Sequence, residues 1–426
     1  MNEENIKEMA EYCLNCKTKP CRSGCPLEND IPEFIKNIRE NNYEQAYKIL
    51  SKTTVLESVC GRICPHMSQC MGKCVRGIKS NPVNIGTLEA FVGDMAIEEG
   101  FDMDVEIKSE NSMLPKKKIA IIGSGPAGLT CAAFLARSGF EVTIFEKRDK
   151  LGGLLRYGIP EFRLDRKILD GAINKILDLG INIEIDKELG KDIFLDKLIK
   201  DYDAVFIAIG ANIPWKMNVE GEDLEGVYGG NSLLEYNKHP NYEGKNVAVV
   251  GGGNVAMDCA RTINKLGAKQ VTVVYRRAEE QMPAERKEIE DAKKEGVDFL
   301  FQTNIVKIIG DGIVQKIECV RTELIQKEGE SRLSPVNVEG SNFEKNVDYV
   351  VMAIGSMPEE KVVNGLGIAC DKKGYIIVND NFETSLENVY AGGDVAGTKA
   401  TVAWAARTGR EVANSIRRKF HGIGVE

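Results

Sequence analysis

Between residues 31 and 50, Phe34, Ile35, Ile38, Tyr47 and Leu50 recur at helical spacing, with Asn29 and Asp30 ahead of them as capping residues and Pro32 suited to a first helical turn. The N-terminal zone, residues 1–112, therefore reads as helical. Residues 106–118, polar and ending in Pro115 and three lysines, read as a linker. At Lys118 the pattern changes. Lys118-Ile-Ala-Ile-Ile122 is a short apolar run of the kind that forms a buried strand, and an apolar helix over 129–137 and a strand over 141–145 follow. A second unit of the same kind starts at Lys245, with a strand over 247–250, a helix through Leu266 and a strand over 271–275. Asp203-Ala-Val-Phe-Ile-Ala-Ile-Gly210 and Asp348-Tyr-Val-Val-Met-Ala-Ile-Gly355 read as returning strands. Asn388-Val-Tyr-Ala-Gly-Gly-Asp394 reads as a strand closing on a glycine turn, and a helix over 400–416 comes next. The predicted segments are 1–112, 113–242, an inserted domain at 243–355, and 356–426, which completes the 113–242 domain.

Both βαβ units carry a glycine fingerprint between strand and helix. In the first it is Gly123-x-Gly125-x-x-Gly128: Gly123 permits the tight turn, Gly125 lets the backbone approach a pyrophosphate, and Gly128 lets helix pack on strand. Pro126 and Ala127 open the helix, whose N-terminus favours negative charge. The next strand ends on Glu146, a carboxylate placed to accept the hydroxyls of an adenosine ribose. The second unit has Gly251-x-Gly253-x-x-Ala256, with Asn254 and Val255 at the helix start, but its ribose end is Tyr275-Arg276-Arg277. Guanidinium groups pair with a 2'-phosphate that a carboxylate would repel. The first site thus suits FAD and the second NADPH, and two such sites in one chain imply hydride transfer from cofactor to cofactor, with no catalytic side chain required. A solvated arginine pair is the ordinary alternative for Arg276 and Arg277. Gly210, Gly355, Gly393, Asp394 and Thr401, at and after the returning and closing strands, join the candidate cofactor contacts, with an ordinary turn or cap as the alternative for Asp394.

Of the 12 cysteines, Cys13, Cys16, Cys21, Cys25, Cys60, Cys64, Cys70 and Cys74 crowd the N-terminal zone, while Cys131, Cys259, Cys319 and Cys370 are solitary. The spacings are Cys13-x2-Cys16-x4-Cys21-x3-Cys25-Pro26 and Cys60-x3-Cys64-Pro65-x4-Cys70-x3-Cys74. Soft thiolates in this number, with Cys-Pro pairs, point to iron-sulfur clusters; zinc would prefer paired cysteines at a longer separation and has no reason to accompany a flavin.

With 43% hydrophobic residues in 426, the chain can bury real cores in two or three domains. A net charge of -8 with no basic tract argues against nucleic acid. No apolar run spans a bilayer and Met1-Asn2-Glu3-Glu4 lacks a secretory signature, so a cytoplasmic location is expected.

The whole sequence resembles the glutamate synthase small (beta) subunit family, shared with the N-terminal half of dihydropyrimidine dehydrogenase and the large subunit of NADH-dependent ferredoxin:NADP oxidoreductase. The resemblance rests on the cysteine array, Pro82-Val-Asn-Ile-Gly-Thr-Leu-Glu89, both fingerprints, Leu151-Gly-Gly-Leu-Leu-Arg-Tyr-Gly-Ile-Pro160, Tyr275-Arg-Arg277 with Met282-Pro283, and Ala391-Gly-Gly-Asp394. It implies an α/β chain: an N-terminal helical domain with two [4Fe-4S] clusters, then two Rossmann-like dinucleotide-binding domains, one for FAD and an inserted one for NADPH. It further implies that Gly153 and Arg156 add to the cofactor contacts, and that Cys13, Cys16, Cys21 and Cys74 hold one cluster, and Cys25, Cys64, Cys70 and Glu89 the other, leaving Cys60 over. A solvent-facing helical glutamate is the ordinary alternative for Glu89, with Cys60 then the eighth ligand.

The expected function is an electron-input module, NADPH to FAD to clusters to a partner subunit, most often a glutamate synthase large subunit. Ferredoxin-linked transhydrogenation and pyrimidine reduction are the alternatives, since no segment forms an FMN-bearing barrel and no N-terminal cysteine nucleophile for glutamine hydrolysis is present. A self-contained thiol-disulfide reductase would need a cysteine pair beside the flavin, which Cys131 and Cys259 do not form. A redox-sensing binding module would bind nucleotides without turnover.

Overall fold

The computed structural model describes residues 3–103, 116–326 and 332–422. Most of the expected linker, 106–115, lies outside them. The chain divides into two compact units: Met1–Arg156, Glu161–Ala211 and Pro358–Glu426 form one, and Tyr157–Pro160 with Asn212–Met357 form the other.

The cysteine-bearing part of the first unit is built from short helices, chiefly Glu3–Glu11, Ile31–Arg39, Tyr43–Ser51, Glu57–Ile63 and Ile85–Glu98. The helical periodicity over 31–50 is divided between two of them, because Asn41 takes a left-handed φ of 57° and turns the chain. Asp30 stands at the N-cap of Ile31–Arg39 without a side-chain capping bond. Its carboxylate is held instead by Lys19 at 2.6 Å, and Asn29 reaches across to Glu89. Helices Glu57–Ile63 and Ile85–Glu98 meet backbone to backbone. A β-carbon on Gly61 would lie 2.4 Å from the Ala90 nitrogen, and one on Gly93 would lie 2.4 Å from the Ser58 nitrogen. Arg62 and Asp94 pair across the same crossing at 2.5 Å.

The rest of the first unit is a five-stranded parallel sheet in the order Val389–Ala391, Ala204–Ile207, Lys118–Ile122, Glu141–Phe145, Asn182–Glu184. Its central strands are apolar because both faces are covered; Ile121, Ile144 and Phe206 are fully buried. Helix Val402–His421 lies on helix Pro126–Arg137 so closely that a β-carbon on Gly409 would come within 2.1 Å of the Ala127 carbonyl oxygen. The same helix holds the cysteine-bearing part: Arg407 donates to the Pro26 carbonyl at 2.9 Å, and Arg410 donates to those of Leu27 and Thr53, each at 2.8 Å.

The second unit repeats the design with strands Val227–Gly229, Tyr349–Met352, Asn246–Val250, Gln270–Val274 and Asp298–Leu300, all parallel. Strand Val227–Gly229 comes from residues that the sequence pattern groups with 113–242, yet it pairs with Tyr349–Met352. The periodicity also gave no hint of the antiparallel ribbon Thr303–Asp311 and Ile313–Ile325, which turns at Asp311-Gly312, where Gly312 has a φ of 74°. Among the described residues no helix is long and apolar enough to cross a membrane.

Candidate functional site

In the first unit, strand Lys118–Ile122 delivers the chain to Gly123, whose φ of 101° is open only to glycine and where a β-carbon would sit 2.5 Å from the Ala208 carbonyl oxygen. Helix Pro126–Arg137 starts immediately after Gly125, and nothing lies within 4 Å of where a β-carbon on Gly125 would be, which leaves room for a phosphate at the helix N-terminus. Gly128 must lack a side chain, since a β-carbon there would meet the Gly123 carbonyl oxygen at 2.0 Å. Gly153, at a φ of 52°, packs a second glycine turn against the first: a β-carbon on it would lie 2.9 Å from the Gly125 Cα.

Glu146 is buried at the end of its strand and fastens this turn. One carboxylate oxygen accepts from the Ser124 amide at 3.0 Å and from the Ser124 hydroxyl; the other accepts from the Arg148 amide at 2.9 Å. A carboxylate has about four lone-pair sites, so one remains for a ribose hydroxyl. Arg156 is anchored by donation to the Leu151 carbonyl and the Asp170 carboxylate. Gly210 turns at a φ of 72° beyond strand Ala204–Ile207. Gly393, at 70°, donates its amide to the Thr408 hydroxyl at 2.8 Å and would place a β-carbon 3.1 Å from that of Ala127. Asp394 next to it is bonded by the Thr398 hydroxyl at 3.0 Å, and burial raises its carboxyl above the usual range. Thr401 caps helix Val402–His421 through the Trp404 amide.

The second unit has the same turn. Gly251 has a φ of 137°, the space above Gly253 is open, and helix Asn254–Lys265 begins there, with Val255 half-buried and Ala256 fully buried at the packing position. The Asn254 side-chain oxygen accepts from the Glu285 amide at 2.9 Å, and the Ala284 amide donates to the Gly252 carbonyl at 3.1 Å, which folds the Met282-Pro283 segment onto the turn. Gly355, at a φ of 119°, lies beside Trp215. At the ribose end Arg276 is exposed, whereas Arg277 donates from Nε to the Leu333 carbonyl at 3.2 Å. Arg332, which no motif marks, donates to the Gln281 carbonyl at 2.8 Å beside the Tyr275 hydroxyl, which shares that acceptor.

Cys13, Cys16, Cys21 and Cys74 line one cavity of about 350 Å³, counted with its opening to solvent, whose walls include Ile31, Ile35 and Val83. Among the described residues no three His, Cys, Asp or Glu side chains converge on a single metal-ion position. Thiols set around a space instead of a point fit a cluster, in which iron and bridging sulfide fill the middle. Cys25, Cys64, Cys70 and Glu89 form the second group, with Cys60 beside them. Burial pushes the Cys21 thiol up to about 11, with Cys13 nearby adding to it, and pushes Cys25 up to about 12, with Glu89 adding to it. So many thiolates become affordable only beside a compensating metal charge. Glu89 is buried, not solvent-facing: the Asn29 amide donates to it at 3.1 Å, and burial raises its carboxyl to about 8. His66, another residue no motif marks, is buried against Gly86, and burial lowers its imidazole to about 4.

Known proteins resemble this chain over nearly its whole length. Residues 117–411 match the pyridine nucleotide-disulphide oxidoreductase family, and residues 1–101 match dihydropyrimidine dehydrogenase domain II, 4Fe-4S cluster. The chain is 36% identical to the glutamate synthase [NADPH] small chain of Escherichia coli, over 97% of this chain and 91% of that one. It is 39% identical to the NADP(+)-dependent formate dehydrogenase subunit beta of Moorella thermoacetica, over 94% of this chain and 59% of that one. Mycobacterium tuberculosis FprA in complex with NADPH superposes with a TM-score of 0.63 at 21% identity, over 72% of this chain and 85% of that one, and so shares the fold. The chain belongs to the glutamate synthase small-subunit-like family of oxidoreductases that use FAD, NADPH and [4Fe-4S] centres.

Proposed function

We propose that this chain oxidises NADPH through FAD and passes electrons through two [4Fe-4S] clusters to an acceptor on another polypeptide, as a glutamate synthase small-subunit-type protein. The observation that carries this reading is helix Val402–His421. Its start follows the Asp394 turn expected at the flavin, and its Arg407 and Arg410 hold the Pro26 and Leu27 carbonyls directly after Cys25. One element thus links the flavin end to the Cys25, Cys64, Cys70 and Glu89 group; three thiols of the other group, Cys13, Cys16 and Cys74, are half-buried, against Cys25 alone in this one, and that group is the exit.

When bound, FAD accepts hydride from NADPH and the clusters carry single electrons. The residues supply placement. Glu146 and the helix start after Gly125 orient the flavin nucleotide. Arg276 and Arg277 select the 2'-phosphate. Glu89 completes the second thiol group with a hard oxygen donor, with Cys60 in reserve beside Cys64. The 91% coverage of the E. coli small chain favours a glutamate synthase partner, and the resemblance to the formate dehydrogenase subunit keeps another acceptor in view.

The test is anaerobic purification with metal and flavin analysis. One FAD and about eight iron atoms per chain are expected, as two cubanes require, together with NADPH-driven viologen reduction. Stoichiometric zinc with no iron would sink the reading. Glu89→Ala should give a [3Fe-4S] signal by electron paramagnetic resonance after mild oxidation while NADPH still bleaches the flavin. Unchanged cluster spectra, with Cys60→Ser destroying a cluster, would make Cys60 the ligand. The protein that co-purifies identifies the acceptor.

A further inference from the structure

The cavity lined by Cys13, Cys16, Cys21 and Cys74 opens beside two segments that form one surface. Arg76 joins them: its guanidinium lies 4.3 Å from the centre of the Tyr12 ring, and its Nε donates to the Tyr12 carbonyl at 2.9 Å, while the Tyr12 hydroxyl donates to the Asn81 carbonyl at 3.1 Å. Leu14 and Val75 line the cavity and are 50% and 38% exposed, and Ile78 at the end of the same turn is 78% exposed. Two large apolar side chains facing water at one opening, with a third at the end of the same turn, are more than scattered surface residues require.

The charge around them is one-sided. Residues 12–27 and 58–88 contain no aspartate or glutamate, although the chain as a whole carries a net charge of -8. Lys17, Lys73 and Lys79 are exposed, and among the described residues no ion pair engages them. Lys19 and Arg22 are already committed to Asp30, at 2.6 and 3.9 Å. The carboxylates that flank these segments in sequence are Glu11 and Glu28 for the first and the buried Glu57 and Glu89 for the second. An apolar centre with a cationic rim is the anatomy of a transient docking patch, where charge steers the encounter and apolar contact holds it briefly.

From this we infer that Leu14, Val75 and Ile78, rimmed by Lys17, Lys73 and Lys79, form the docking surface for an acidic electron-carrier protein. Its redox centre would be brought to the Cys13 group. The inference rests on the proposed function and adds to it the place and the charge of the acceptor. The electron balance is simple. NADPH yields NADP+, one proton and two electrons, and two acceptor molecules, or one acceptor in two encounters, each gain one electron. The cationic rim decides against a basic partner, because like charges across the contact would slow the encounter.

The test uses the full-length holoprotein with NADPH and two soluble probes of opposite charge, an acidic ferredoxin and basic cytochrome c. Ferredoxin reduction should be the faster at low salt and should fall several-fold between about 20 and 300 mM salt, as screening of an attractive encounter requires. Ile78→Asp, and separately Lys17→Glu with Lys79→Glu, should raise the KM for ferredoxin about ten-fold with little change in kcat, as loss of docking contacts and steering predicts. Ferricyanide reduction and flavin bleaching by NADPH should stay at the unmodified level. A KM unchanged in both variants, or a preference for cytochrome c at low salt, overturns the docking surface. An unmodified protein whose clusters stay oxidised under NADPH overturns the functional reading itself.

Discussion

The two parallel sheets carry the same glycine turn but secure it by opposite chemistry. In the first unit the middle residue of the turn is Ser124, whose amide and hydroxyl both bond to Glu146, and whose hydroxyl also accepts from the Gly152 amide at 3.0 Å. In the second unit the middle residue is Gly252, and the ring of Tyr275 occupies the place of a side chain: a β-carbon on Gly252 would lie 2.5 Å from it. A carboxylate that fixes the turn by hydrogen bonds can also serve a ribose hydroxyl. An aromatic ring that fixes it by contact leaves the ribose end without negative charge, so arginines can stand next to a phosphate. The residue that holds the turn therefore sets the charge at the end of the neighbouring strand.

Glu146→Ala attacks this linkage most directly. It strands the Ser124 and Arg148 donors and removes a ribose acceptor, so FAD binding should weaken by about 3 to 5 kcal/mol, on the scale of two or three lost charge-assisted bonds. Released-flavin fluorescence measures it, and full occupancy would break the comparison. Replacing Arg276 and Arg277 together by Ala should cost NADPH about 2 to 4 kcal/mol and leave NADH almost untouched. Equal losses for both nucleotides, read from stopped-flow flavin reduction, would refute their role.

Glu57 sharpens the contrast from another side. Like Glu146 it is a buried carboxylate of the first unit, but among the described residues its Oε1 has no hydrogen-bond partner, and burial raises it to about 7, with its own backbone amide, Lys175 and Arg137 opposing the rise. Below its ordinary value near 4.5 the folded and unfolded forms are both protonated and nothing is lost. As pH rises the unfolded chain releases its proton first, so stability falls until about pH 7 and stays reduced above it. Glu57→Gln should therefore raise stability at pH 8 by about 2 to 3 kcal/mol relative to its effect at pH 4. A thermal-melt difference independent of pH would contradict this. Gly252→Ser tests the turn itself: it should cost NADPH about 1 to 2 kcal/mol by collision with Tyr275, on the scale of a misfitted side chain. Tyr275→Ala in the same chain should restore part of it, and an additive double variant would show that ring and turn do not interact.

Much of this was legible in the sequence because the glycine turns, strand ends and cysteine spacings are local signals. Gly123, Gly251 and Gly355 stand at left-handed positions, and the motifs alone mark them. What depends on distant packing was not legible. Asn29 and Asp30 read as caps, yet Asn29 serves Glu89 and Asp30 serves Lys19, partners that only the tertiary fold supplies. Glu89 could equally have faced solvent by periodicity. Gly61, Gly86 and Gly93 let its helix press against Glu57–Ile63, and that close crossing buries it. Ser124 and Gly252 were passed over because the fingerprint treats the middle position as free. Strand Val227–Gly229 was missed because three residues give too short a pattern to read.

Arg410 and Leu27, joined through a hydrogen bond, are 383 positions apart in the chain. During synthesis the first thiols leave the ribosome long before their final neighbour is made, and closing so long a loop is entropically slow. The thiols near Leu27 therefore stand open to oxygen until helix Val402–His421 docks on them.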